Sequence, residues 1–179
     1  MITRKRLSIY DHFKNTYRTL SLVPNSDIEY RPHNKFIIWE FATRPFPHNN
    51  LYVLCLNYEI GWPPRVWVVE PDLTGKGNLP HTYTSENNRL CLYRSTDWAW
   101  DSSCDIMKTV VLWSQMWLFY YEDYLITGQW RGPEADHDER EKKVENSKTN
   151  KSTKTQKPLF LKAYPIRLAR TKKTSQFKI

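Results

Sequence analysis

Large apolar side chains become scarce after Gly132-Pro133. From Glu134 to Gln156 nearly every residue is charged or small and polar. Such a composition cannot bury enough apolar surface to offset the entropy lost on ordering the chain. The core must therefore come from residues 1–133, which is about the length of one domain. With 40% hydrophobic and 15% aromatic residues overall, the chain has the bulk to build it. Beyond it, 134–157 reads as a disordered polar linker and 158–179 as a basic tail with a short apolar segment. That segment carries Leu159, Phe160, Leu161, Tyr164, Ile166 and Leu168, which suits a docking peptide or an added edge strand.

Charge follows the same division. The formal net charge is +8, which by itself would suggest a nucleic-acid partner. Arg140 to Ile179, however, hold 13 Lys and Arg against 2 acidic residues. That leaves 14 of the 27 basic and 17 of the 19 acidic residues for Met1 to Glu139. The body is slightly acidic, and the basic tail reads first as a solvated arm. A nucleic-acid partner is not expected.

Within the body, Tyr10, Phe13, Tyr17 and Leu20 recur at helical spacing, predicting a helix from Tyr10 to Leu22 that ends at Pro24-Asn25. The short apolar runs Phe36–Phe41, Leu51–Leu56 and Arg65–Val69 are rich in β-branched and aromatic residues, as strands of an antiparallel meander are. Asp72 to Asn88 reads as a long loop, and Arg89 to Tyr93 as a brief extended island inside the irregular region. Asp105 to Ile126 gives the strongest helical pattern. Ile106, Val110, Trp113, Trp117, Tyr120 and Tyr124 fall on one face, with Ser103 or Asp105 as N-cap and Gly128 as stop. The expected fold class is α+β: an antiparallel β-meander packed on a long C-terminal helix, preceded by an N-terminal helix.

Several chemistries find no motif. There is no G-x-S-x-G elbow, and Gly75-Lys76-Gly77 lacks the spacing of a phosphate-binding loop. His12, His33, His48, His81 and His137 form no ligand pair with one another or with cysteine, so no metal is expected. No cofactor is expected either. Three cysteines without a CxxC suggest a reducing, cytoplasmic setting rather than a disulfide framework. The basic N-terminus is followed by no apolar stretch of signal-peptide type, and Thr109 to Tyr121 is too short to span a bilayer. Cys55, in an apolar run, reads as a small inert hydrophobe. Cys104 lies near an expected helix start, where a thiol can be activated. Cys91, after a polar loop and between Leu90 and Leu92, fits either a structural or a nucleophilic role on local context alone.

A wider pattern surrounds Cys91. His81 lies ten residues before it, Leu90 and Leu92 flank it, and Trp98 follows. This stretch resembles the active-site segment of ubiquitin-conjugating enzymes. Pro63-Pro64, Leu79-Pro80-His81, Leu90-Cys91-Leu92-Tyr93, Trp117 to Glu122 and Thr127-Gly128-Gln129-Trp130-Arg131-Gly132 occur in order. Together they resemble the ubiquitin-conjugating-like proteins of prokaryotic antiphage operons of the CBASS type, over roughly Ile28 to Gly132. Where the eukaryotic-type family has Pro and Asn after the histidine, this chain has Thr82 and Tyr83.

The resemblance implies a transferase that carries a protein C-terminus as a thioester on Cys91 and passes it to a lysine. It implies that His81 structures the loop. Tyr83, Asn87, Asn88 or backbone N–H groups would stand in for the family asparagine. The implied partners are an activating enzyme or other thioester donor on a separate chain, and a cyclic-oligonucleotide synthase or ubiquitin-like protein as the carried substrate. Two other classes remain open: a non-catalytic binding module on the same fold, and a nucleic-acid-binding protein acting through its basic tail.

Overall fold

The computed structural model describes residues 7–74, 76–93 and 100–133. The linker and tail expected at 134–157 and 158–179, and Trp98, lie outside these residues.

The chain enters through helix α1, Ile9–Ser21. Ser8 and Asp11 form a capping box that satisfies donors at its start. Phe13 and Leu20 are buried on its inner face and Tyr17 packs beside them, whereas Tyr10 is substantially exposed. Four strands follow: β1 (Ser26–Arg31), β2 (Phe36–Thr43), β3 (Tyr52–Glu59) and β4 (Arg65–Glu70). They pair antiparallel in sequence order, with a register irregularity at Val53/Leu54. The sheet therefore has one strand more than the apolar runs indicate. In β1, Ile28 and Tyr30 alternate with Asp27, Glu29 and Arg31, so it shows no continuous apolar run. Its period of two was the readable signal.

Strands β2 and β3 are buried at consecutive positions, so both faces of the central pair are covered. Trp39 and Phe41 stack with ring centroids 3.9 Å apart. Cys55, opposite Glu40 and Trp67 in register, is buried.

The helix expected from Asp105 begins later, as α2, Val110–Thr127. Neither Ser103 nor Asp105 caps it. Asp105 instead accepts from the Met107 amide in the preceding turn, and Ser103 donates to Asp101. Gly128 does close the helix, in the left-handed conformation at φ +69°. The buried face also differs from the expected stripe. Val110 and Trp117 are buried, but so are Val111, Ser114, Leu118 and Tyr121. The helix is apolar nearly all round, so periodicity alone could not select its inner face. Two polar side chains of α2 tie it to the sheet and to the loop before β3. Gln115 donates to Thr43 at 2.9 Å. Glu122 accepts from the Asn49 amide side chain, the Asn50 N–H and the Tyr52 hydroxyl.

Candidate active site

The segment Asp72 to Asn88, expected as loop throughout, ends in ordered structure. Strand β5 (Thr82–Tyr83) pairs antiparallel with β6 (Arg89–Leu90), and a single 3-10 turn, Thr84–Glu86, joins them. Thr82 lies opposite Leu90 and Tyr83 opposite Arg89. One further step in this register sets His81 opposite Cys91, and the Cys91 N–H donates to the His81 carbonyl at 3.0 Å. The ten-residue spacing is thus the geometry of a small hairpin.

Burial alternates along the second strand of this hairpin. Leu90 and Leu92 are 2% and 8% exposed and belong to the core, while Cys91 between them is partly exposed. The two leucines are apolar anchors, and strand alternation turns the thiol away from them. On that side, the Cys91 sulfur lies 3.4 Å from the Tyr83 hydroxyl. The contact is diagonal across the hairpin, a distance that a tyrosine spans. A neutral thiol donates to the phenol oxygen. Once the sulfur is ionised, the phenol O–H becomes the donor.

Tyr83 is held in place by its cross-strand partner. The Arg89 guanidinium lies 3.9 Å from the centroid of the Tyr83 ring. Glu86 fixes Arg89 through two contacts of 2.7 and 3.2 Å, and also lies 3.7 Å from Arg65. The Glu86 carbonyl in turn accepts from the Trp67 indole of β4 at 2.8 Å. Burial pushes the Tyr83 phenol up to about 12, with the bond to Cys91 adding to the shift and Arg89 opposing it. Burial likewise pushes Tyr93, near the same group of charges, up to about 12. The Tyr93 hydroxyl donates to the Pro64 carbonyl. Arg89, Glu86, Arg65 and Tyr93 were not among the residues expected at the site. Their charges and rings converge only when the hairpin closes on β4, and no linear spacing marks that.

The other expected residues have distinct positions. Asn87 and Asn88 both take left-handed backbone, at φ +55° and +57°, which asparagine tolerates better than most residues. Asn87 is exposed at the end of the 3-10 turn. Asn88 is 4% exposed, and its amide donates to the carbonyls of Leu73 at 2.8 Å, Gly77 at 3.4 Å, and Lys76. It fastens the backbone at Leu73, Lys76 and Gly77 to the hairpin. The carbonyl of His81 accepts from both the Cys91 amide and the Trp117 indole, the latter at 3.0 Å. The His81 ring stacks on Trp130 with centroids 4.8 Å apart.

Cys104 lines a pocket with His12, Asn15 and Met107, none of which belongs to the hairpin. Among the described residues, no cluster of three or more His, Cys, Asp or Glu is placed to hold a metal ion. None of their helices is long and apolar enough to cross a membrane.

The architecture, α+β with a four-stranded antiparallel sheet and a partly exposed thiol on the hairpin beyond it, is compatible with a conjugating enzyme of the E2-like type. The chain belongs to the family described as Type II CBASS E2 protein, whose family model matches residues 18–138. The match brackets the Ile28–Gly132 region of resemblance and contains the whole hairpin. Family membership makes this a CBASS E2-like conjugation protein, which works with other components of CBASS conjugation. No curated protein matches the chain.

Proposed function

We propose that the protein carries the C-terminus of another protein as a thioester on Cys91 and transfers it to a lysine. The observation that carries this reading is the Cys91–Tyr83 pair: a partly exposed thiol 3.4 Å from a phenol hydroxyl, on a hairpin anchored by Leu90 and Leu92. The Cys91 thiolate attacks the carbonyl carbon of a donor thioester. A new C–S bond forms as the donor's C–S bond breaks, and the donor thiolate leaves. The thioester keeps the acyl group reactive. The acceptor amine then attacks the same carbon, the amide forms, Cys91 leaves as thiolate, and the amine proton passes to solvent.

Each attack places negative charge on the carbonyl oxygen, and preorganised donors stabilise it. Tyr83 stands where the eukaryotic-type family has asparagine, and its hydroxyl is the donor assigned to that oxygen. The amide of Asn88 is committed to loop carbonyls and acts as scaffold. Asn87, exposed beside the turn, is the second candidate donor. His81 organises the loop through its carbonyl.

The thioester donor is an activating enzyme or an equivalent on a separate chain. The carried protein is a cyclic-oligonucleotide synthase or a ubiquitin-like protein, in the bacterial cytoplasm during antiphage defence. Residues 1–133 form the catalytic domain. The test is conjugate formation in cells that hold the other CBASS components. Cys91→Ala abolishes the conjugate, whereas Cys104→Ala preserves it. A conjugate that persists in Cys91→Ala overturns the reading.

A further inference from the structure

The segment Thr127-Gly128-Gln129-Trp130-Arg131-Gly132 stands out in the sequence, and its hydrogen bonds and ring contacts go to residues other than Cys91. Each has a structural reason that converges on one side chain. Gly128 reverses the chain after α2 with the positive φ that favours glycine. Thr127 bridges the turn, donating to the Asp123 carbonyl at 2.9 Å and accepting from the Gln129 amide at 3.3 Å. Arg131 forks onto the Asp123 carboxylate, with its Nε at 2.6 Å. At Gly132 a Cβ would come within 2.8 Å of the Trp130 indole nitrogen and the Tyr120 ring. A larger residue there would have to displace those rings. The segment thereby seats Trp130 against Trp117, Tyr120 and the ring of His81.

His81 is the member of this cluster that needs holding. Its backbone is left-handed, at φ +51°, a conformation that is unfavourable for most side chains. In this conformation its carbonyl accepts from both the Cys91 amide and the Trp117 indole. Such strain persists where the surroundings over-determine it.

We infer that Trp130 is a positioning residue for Cys91: by stacking on His81 it holds the left-handed backbone whose carbonyl fixes the Cys91 amide. The turn that follows α2 is thus a strap that sets the nucleophile's backbone from behind. The inference deepens the reading of Cys91 as the acyl-carrying thiol. Its readout needs no carried protein, so the two can fail separately.

The test is amide hydrogen exchange at Cys91, followed by NMR on the full chain. Trp130→Leu keeps apolar bulk but removes the stacking ring. It accelerates exchange at Cys91 by roughly three- to tenfold, the magnitude of one aromatic pair, and leaves β2 and β3 amides unchanged. Trp130→Phe restores the ring and keeps exchange within about twofold of the unmodified protein, well inside the value of that pair. In a His81→Asn background, which tolerates the left-handed backbone and has no aromatic ring, Trp130→Leu loses its effect at Cys91. Unchanged exchange in Trp130→Leu overturns the inference. So does an undiminished effect in the His81→Asn background, which would mean general packing. Should Trp130→Leu fail to fold, exposed Arg131→Gln slackens the strap instead. It raises Cys91 exchange by roughly two- to threefold, on the scale of one exposed ion pair, and no rise there overturns the inference equally.

Discussion

The Tyr83 hydroxyl stands 3.4 Å from the sulfur of Cys91, eight residues further along the chain and one diagonal step away across a two-rung hairpin. No other side-chain hydroxyl is recorded within hydrogen-bond distance of that sulfur among the described residues. Removing the hydroxyl while keeping the ring separates its chemistry from its packing. In Tyr83→Phe, transfer of the acyl group from Cys91 to an amine slows by roughly 10²-fold, the scale of losing one oxyanion donor. Single-turnover discharge of the charged protein measures it, and the stack under Arg89 survives the change. A discharge rate equal to that of the unmodified protein removes Tyr83 from the mechanism.

Asn88 makes a different prediction because its amide is buried and spent on carbonyls. Asn88→Gly keeps the left-handed backbone and loses only the side-chain bonds. It costs about 1–3 kcal/mol, the range for leaving buried polar groups without partners. Asn88→Ala adds the left-handed backbone cost of about 1–2 kcal/mol. Urea titration of both variants measures the order: Gly mildly destabilised, Ala more so. If Ala is the milder, the backbone conformation at Asn88 is not the constraint.

Alkaline pH tests the buried and half-buried phenols together. Burial pushes Tyr58, Tyr83 and Tyr93 up to about 12, and burial with the Glu122 carboxylate also pushes Tyr52 up. A raised value means that the folded state holds the proton more tightly than the unfolded chain does. The associated stability is fully present below about 10, the unfolded value, and is lost as pH rises through about 12. Thermal melts between pH 8 and pH 12, roughly the span set by these values, will show Tm level at first and then falling steeply. Throughout the neutral range Tyr83 keeps its proton, as the proposed donation to the acyl oxygen requires.

Much of this was legible in the sequence, for identifiable reasons. The spacing of His81 and Cys91 is local, because a tight hairpin converts ten residues into one cross-strand pair. The burial of Cys55 followed from the apolar run around it. The inner face of α2 was not legible, since Leu112, Met116 and Phe119 on the exposed side are as apolar as the residues facing in. Strand β1 hid because three of its six residues are charged. The Glu86–Arg89–Tyr83 arrangement escaped because Glu86 and Arg89 read as ordinary surface charges until the hairpin folds. Its docking on Trp67, 19 residues from Glu86, is a tertiary fact.

The acyl linkage itself is the most direct measurement of what Cys91 does. The full chain is isolated under non-reducing conditions from cells holding the other CBASS components. Intact mass is then measured before and after treatment with a thiol reductant. Thioester carriage predicts a protein adduct on the unmodified chain that the reductant releases. It predicts an adduct on Cys91→Ser, joined as an oxyester, that resists the reductant, and none on Cys91→Ala. An adduct on Cys91→Ala, or one on the unmodified chain that the reductant leaves intact, would contradict thioester carriage at Cys91.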